Sequence, residues 1–150
     1  MPEPDSRAIV IHLRAEHRRM RERVQAVERL LAPQRNVNES PTCEEVVGRL
    51  RTLRQELQNH FDEEDSGGCL DAAVCGNPKL SRELSQLEHE HPELLARLDD
   101  VIAHANSSEG SIGDQTYQEF KRLTKKLHAH EDTENRIIAN GFGLELDEVE

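Results

Sequence analysis

Apolar residues recur along four segments of the chain at alternating steps of three and four residues, the spacing of one face of an amphipathic helix. We call each such row a seam. The segments predict helices over about residues 6–31, 42–65, 78–105 and 114–140, followed by an acidic tail at residues 144–150. Four such helices predict an all-α protein, an up-down-up-down four-helix bundle formed by a single domain over residues 1–150.

Capping signals mark the predicted helix ends. The candidates are Asp5 or Ser6 for the first helix, Ser40-Pro41 or the box Thr42-x-x-Glu45 for the second, Asn77-Pro78 for the third, and Asp114 and Asn140-Gly141 for the two ends of the fourth. Pro92 lacks an amide hydrogen, so we expect a kink in the third helix that frees the carbonyl of Glu88. The kink either opens a metal position or is tolerated near the helix start.

Every seam is interrupted by polar side chains where its spacing leads us to expect leucine. They are His17 in the first helix, His60 and Glu64 in the second, His91 in the third, and His130 and Glu134 in the fourth. A buried carboxylate is costly unless it is paired or bound to a metal. Glu64 has no basic partner in its own seam, so a metal is one way to satisfy it.

The polar interruptions are predicted to lie at one height in the bundle. Facing residues of an up-down bundle are roughly symmetric about the turn that connects their helices. The midpoint between His17 and His60 lies between positions 38 and 39, inside the first linker. The corresponding midpoints for the other two connections lie between positions 76 and 77 and between positions 111 and 112, again inside linkers. The sequence therefore predicts one polar layer within a leucine core.

Four imidazoles and two carboxylates in one buried layer predict a metal site. Donors of this kind, without thiolate, suit iron, manganese or zinc, and affinity alone does not choose among these metals. Six side chains are more than one tetrahedral zinc ion needs. Two ions bridged by Glu64 and Glu134, with open coordination positions, fit the donor count better. This arrangement is typical of non-haem di-iron chemistry with dioxygen or peroxide.

Four short motifs resemble the hemerythrin-like (HHE cation-binding) family, over about Ile9 to Phe142. They are Glu16-His17, His60-Phe61-x-x-Glu64, Glu90-His91 and His130-x-x-x-Glu134, one on each helix in order. The resemblance implies a four-helix bundle around a non-haem, usually di-iron, centre. It also implies that iron is bound by His17, His60, Glu64, His91, His130 and Glu134. We expect two iron ions joined by an oxo or hydroxo bridge.

Two positions differ from the oxygen-carrying members of that family. Those members have a histidine one turn before the third-helix ligand, where this chain has Leu87. They also have an aspartate five residues after the fourth-helix histidine, where this chain has Glu134 at four. Both differences argue against reversible oxygen carriage and favour the sensors, iron-handling proteins and redox proteins of the family.

Other polar residues flank the predicted layer. Glu63 and Glu88 lie beside their seams, where each is an extra ligand, an acceptor that orients a histidine, or part of a solvated face. The remaining histidines are read as solvated or flanking: His12, His89, His104 and His128. No catalytic residue is assigned, although Glu63 is the one acid–base candidate for an enzyme.

The loop over residues 66–77 is predicted to close over the metal end of the bundle. Leu70 and Val74 are candidates for an apolar cover that excludes water. Cys69 and Cys75 are either a redox pair beside the metal or two ordinary loop cysteines. With Cys43 they form an odd set of three, which indicates reduced thiols in the cytosol.

Composition narrows the possible functions. A formal charge of −11 argues against a nucleic-acid partner. No stretch resembles a membrane span or a secretory signal, so we expect a soluble cytoplasmic protein. Three functions stay open: a di-iron protein that binds or senses dioxygen, peroxide or iron, a di-iron oxidoreductase acting on peroxide or ferrous iron, and an interaction module stabilised by zinc.

Overall fold

Helices account for nearly all of the part of the chain that the structure describes. The computed structural model describes residues 4–33, 41–66, 69–107 and 113–143, without the side chains of residues 4–6 and 69, and contains no strand in these ranges. The helices are α1 (Pro4–Leu31), α2 (Cys43–Asp65), α3 (Cys69–Val74), α4 (Pro78–Glu88), α5 (Glu90–Ser107) and α6 (Asp114–Phe142). Neighbours α1 and α2, α2 and α5, α5 and α6, and α6 and α1 pack in a closed ring. The predicted four-helix bundle is confirmed.

Two of the predicted helix starts are confirmed and two are wrong. The Thr42 hydroxyl accepts a hydrogen bond from the Glu45 amide at 3.1 Å, and the Asn77 side chain accepts one from the Leu80 amide at 3.1 Å. Helix α1, however, already includes Pro4, so neither Asp5 nor Ser6 is its N-cap. Gly113, not Asp114, is the N-cap of α6 and provides no side-chain acceptor.

The end of α6 also differs from its prediction. The helix continues through Asn140 and Gly141 to Phe142. Gly143 ends it with a φ of 68°, a left-handed conformation that glycine adopts without steric cost. Asn140-Gly141 therefore does not stop the helix.

The predicted third helix is divided in two. Helix α4 ends at Glu88 and α5 begins at Glu90, with His89 between them. Pro92 lies two residues past this break and cannot donate to the carbonyl of Glu88, which explains why helical bonding fails at this point. The expected kink is confirmed, and it lies at His89, two residues before His91.

The apolar core forms two clusters, and the polar seam residues lie between them. The large cluster is bounded at the polar layer by Met20, Leu57, Phe61, Leu94 and Leu127. The small cluster joins α3 and α4 to the ends of α1 and α6, and contains Val10, Leu13, Leu70, Val74, Leu80, Leu84, Leu87, Ile137, Ile138 and Ala139. Leu70 and Val74 are buried there, as expected of an apolar cover, but residues 69–74 form the short helix α3 and not the predicted loop.

Some predictions fall outside this picture. Residues 34–40, 108–112 and 144–150 lie outside the described ranges. They comprise most of the first linker, most of the segment between the third and fourth predicted helices, and the acidic tail. Among the described residues, the helices are too short or too polar to cross a lipid bilayer.

Candidate metal centre

All six predicted site residues come together in the layer between the two core clusters. Helix α1 provides His17, α2 provides His60 and Glu64, α5 provides His91, and α6 provides His130 and Glu134. Every one of these side chains is buried. They form two sets suited to holding a cation. One set is His17, His60, Glu64 and Glu134, and the other is Glu64, His91, His130 and Glu134.

The two carboxylates belong to both sets. The Oε1 atom of Glu134 lies 3.1 Å from Nε2 of His17, and its Oε2 atom lies 3.3 Å from Nε2 of His130. The Oε1 atom of Glu64 lies 3.1 Å from Nε2 of His60 and 3.8 Å from Nε2 of His91. Each carboxylate therefore contacts one histidine of each set, the position of a bridging ligand between two cations.

Two imidazole nitrogens face each other across the second set. The Nε2 atoms of His91 and His130 are 3.1 Å apart. The Nδ1 atom of His91 donates to Asp65 at 3.0 Å, and that of His130 donates to Glu90 at 2.9 Å. A neutral ring that donates through Nδ1 presents a lone pair at Nε2. The two lone pairs then repel each other unless a proton or a metal ion lies between them.

The first set presents the same arrangement at His17. Its Nδ1 atom donates to Oδ1 of Asn135 at 3.2 Å, so its Nε2 lone pair faces the carboxylate of Glu134. The four carboxylate oxygens of Glu64 and Glu134 are buried, and none of them accepts a well-oriented hydrogen bond from a described residue. Buried, unpaired acceptors are rare in folded proteins because each is costly. The donor set is therefore suited to metal ions.

Burial and mutual contact shift the acidity of these groups in the absence of metal. Burial, followed by the hydrogen bond and charge of Glu134, raises the pKa of Glu64 to about 12. Burial lowers the pKa of His60 to about 4, with the charge of His17 acting in the same direction. The metal-free centre thus holds a proton on Glu64 and a neutral His60, which limits the charge buried in an apolar core.

A comparison with protein families supports the interpretation of this centre. The Hemerythrin HHE cation binding domain matches residues 8–140. The chain belongs to this family. Among curated proteins and among solved structures, no match is found.

The HHE domain orients three of its four histidines through groups that the sequence pattern did not identify. Asp65 follows Glu64 on α2 but accepts a hydrogen bond from His91 on α5. Glu90 precedes His91 on α5 but accepts one from His130 on α6. Asn135 follows Glu134 and binds His17 on α1. Such partners fix the ring orientation and raise the basicity of the ligand. In the sequence, only their position next to a seam residue indicates that they lie near the site, and this position does not show which histidine each one contacts.

Two further buried groups of the HHE domain contact the layer. The ring of Phe61 stacks on His91 with centroids 4.0 Å apart and planes 7° apart, which restrains that imidazole. Glu131 is buried, and its carboxylate lies 3.6 Å from Arg21. Burial raises the pKa of Glu131.

The flanking residues lie outside the two donor sets. Glu63 is exposed and lies with His12 and Glu16 in a separate group at the surface of the bundle. Glu88 is half-buried, and burial raises its pKa. Of the other flanking histidines, His89 and His104 are exposed, and His128 is half-buried.

Among the described residues, no cysteine belongs to either donor set. Cys43 is half-buried and donates its thiol to the carbonyl of Ala105 at 2.8 Å. Cys75 is a free, exposed thiol. The side chain of Cys69 lies outside the described residues, so its pairing with Cys75 stays a prediction.

Proposed function

We propose that this HHE domain holds two iron ions side by side and uses them to bind or sense dioxygen, peroxide or iron. The observation that carries the proposal is the sharing of Glu64 and Glu134 between two donor sets. Two cations bound close together repel each other, and anionic groups between them offset that repulsion. A single-ion site has no need for a second pair of histidines on the far side of the same carboxylates.

The donor types and their number are compatible with iron that keeps open coordination positions. Each set offers two imidazoles and two shared carboxylates, a mixed nitrogen and oxygen environment that suits iron. Four protein donors leave coordination positions open for small ligands in an octahedral ion. When bound, two iron ions would supply the electrons that dioxygen or peroxide accepts.

The protein contributes orientation and exclusion of water. Asp65, Glu90 and Asn135 hold three imidazoles through Nδ1, so that Nε2 points at the shared carboxylates. The apolar clusters on both sides of the layer keep bulk water away from it. An enzyme would also need an acid or base beside the open positions, but Glu63, the sequence candidate, is exposed at the surface.

Metal content and absorption after reconstitution test the proposal. The metal-free protein is loaded anaerobically with ferrous iron, freed of weakly held metal by dialysis, and exposed to air. We expect about two iron ions per chain, one for each donor set, and the near-ultraviolet bands of oxo-bridged ferric iron. The same protein loaded with zinc should show no such bands. Retention of zinc but not iron would contradict the proposal and favour the interaction module.

A further inference from the structure

A second group of metal-ligating side chains lies at the surface, beside the buried centre. It comprises His12 and Glu16 on α1 and Glu63 on α2, and one ligand atom from each lies within 4.8 Å of the others. The Nε2 atom of His12 is 3.2 Å from Oε1 of Glu16. We call these three residues the outer group. One imidazole and two carboxylates suit a divalent transition-metal ion.

A cavity connects the outer group to the buried centre. It has a volume of about 250 Å³ and is lined by Glu16 and Glu63 on the solvent side and by His60 on the inner side. His60 belongs to the first donor set, so this cavity reaches one residue of the centre. His60 is therefore the residue that the cavity and the buried donors share.

That imidazole is the least restrained of the four. His17, His91 and His130 each donate a hydrogen bond through Nδ1 to a side chain on another helix, at 2.9–3.2 Å. The Nδ1 atom of His60 instead faces Oε2 of Glu16 at 3.8 Å, beyond hydrogen-bond distance. The His60 side chain is only 8% exposed, and its Nδ1 atom points towards Glu16 of the outer group.

The opposite side of the layer is unsuited to cations. There a cavity of about 100 Å³ reaches His17, and its wall includes Arg14, Arg18 and Arg21. Arg21 pairs with Glu131 and Asp132. Arg14 and Arg18 are therefore the guanidinium groups that repel a divalent ion on approach. On the His60 side, Arg23 also lines the cavity but pairs with Glu56 at 3.1 Å. Arg19 is the other cation in that wall.

We propose that His12, Glu16 and Glu63 form a third, weaker cation site, which takes divalent metal from solvent and passes it to the buried centre by rotation of His60. The transfer is a ligand exchange: the ion leaves the outer carboxylates and imidazole for Glu64 and the inner histidines, without any change of oxidation state. The first half of the proposal stands on the outer group alone. The second half rests on the proposed function, because it requires the buried centre to accept metal.

Cobalt binding tests the outer site, because bound Co²⁺ has visible absorption that reports its ligands. Metal-free protein is titrated with Co²⁺ by equilibrium dialysis, and loading is followed by stopped-flow absorption. We expect two tightly held ions and one weaker ion in the unmodified protein. Glu63→Gln and His12→Ala should each lose the weaker ion, keep the two tight ions, and slow the loading of the centre by about tenfold. Both positions are exposed, so the variants should fold.

Asp62→Asn is the matched control. It removes one exposed carboxylate from α2, next to Glu63, but none from the outer group. This variant should keep the weaker ion and load at close to the normal rate. If Asp62→Asn slows loading as much as Glu63→Gln does, general charge on this face controls loading and the outer site is refuted.

The two proposals fail in different ways. Two tight ions without a weaker third one would leave the buried centre intact and refute the outer site. Loss of the weaker ion with an unchanged loading rate would refute the transfer role. A protein that binds no tight ion would refute the dimetal centre. In that case the outer site would still be tested by measuring whether the unmodified protein binds the weaker ion and Glu63→Gln does not.

Discussion

A Cβ atom added to Gly141 would lie 2.0 Å from the backbone carbonyl oxygen of Ala73. The last turn of α6 thus touches the main chain of α3 with no room for a side chain. Helix α3 carries Leu70 and Val74 into the small core cluster. The contact between these two residues therefore fixes the short helix that closes this end of the bundle.

Gly141→Ala should destabilise the protein, because the backbone of α3 cannot move aside without disturbing the small cluster. We expect a loss of roughly 1–3 kcal/mol or more in the free energy of unfolding. Urea unfolding of the metal-free protein measures it.

Gly48→Ala is the control for that substitution. Gly48 lies on the exposed face of α2, away from the helix ends, where an added Cβ has no neighbour within 4 Å. Alanine has a higher helix propensity than glycine, so this change should stabilise the protein by roughly 0.5–1 kcal/mol. Equal effects of the two substitutions would show that α6 and α3 are not held as described.

Removal of metal should lower the stability of the protein at neutral pH. Without cations, the imidazoles of His91 and His130 and the carboxyl groups of Glu64 and Glu134 are left close together in an apolar core with incomplete hydrogen bonding. Metal at a hundredfold above its Kd should add at least ~3 kcal/mol to the free energy of unfolding. Thermal melts with and without chelator, and after metal is restored, measure the change. Identical midpoints after verified metal removal would refute the linkage.

Glu64→Gln should reduce the number of tightly bound ions to about one per chain or fewer, since it removes one of two shared anionic bridges. Glu63→Gln, which removes the same charge one residue away on the exposed face, should keep close to two tight ions. Metal analysis after dialysis against metal-free buffer makes the comparison. The reverse result would mean that the roles of residues 63 and 64 are exchanged.

The metal-free protein should lose stability as pH rises above neutral. Burial raises the pKa of Glu64 to about 12, so the folded chain keeps a proton that the unfolded chain has released. For His17 and His130, burial is the largest single effect and lowers the pKa, but the hydrogen bonds and charges of Glu134 and the other polar neighbours together outweigh it, so the net shift is upward. Their contribution is also lost as pH rises. From about pH 7 to about pH 9, unfolding should become easier by about 1 kcal/mol per pH unit.

Urea unfolding in the presence of chelator measures this dependence on pH. Glu64→Gln provides the control, because glutamine cannot release a proton. Its slope above neutral pH should be clearly smaller than that of the unmodified protein. A steeper slope in the variant would place the retained proton on another group.

The ferrous protein should oxidise within minutes in air, and removal of oxygen should not restore it. Each donor set has only two imidazoles, and Leu87 lies in the small apolar cluster on the α4 side of the break before His91. Leu87→His should slow the oxidation by offering a further neutral donor, which favours ferrous iron. Stopped-flow absorption after mixing with oxygenated buffer follows the reaction. A spectral change in the unmodified protein that reverses when oxygen is removed would make it an oxygen carrier.

The sequence predicted the bundle and the convergence of the six polar residues because both follow from periodicity. Helical spacing determines which face a residue occupies, and the turns determine which heights meet. The orienting contacts follow no such rule. Asp65 lies next to Glu64 in sequence but binds His91, and Glu90 lies next to His91 but binds His130. Contacts between helices depend on rotation about each helix axis, which spacing along one helix does not specify.

The errors at helix ends have a similar origin. Gly113 was not expected as an N-cap because it has no side-chain acceptor, and α6 was expected to stop at Asn140-Gly141. Gly141 instead lies inside the helix, where the close contact with Ala73 requires a residue without a side chain. Local helix propensity predicts a helix end at this glycine, whereas tertiary packing explains why glycine occupies the position.

The polar layer divides the apolar core, so the two clusters are coupled through charged and imidazole groups rather than through continuous hydrophobic packing. In the metal-free protein, the small cluster and its helices α3 and α4 can open while the large cluster stays folded. Bound cations would tie both parts into one cooperative unit. Hydrogen exchange in α4 would then follow metal occupancy, and the susceptibility of that end of the bundle to a protease would report whether the centre holds its cations.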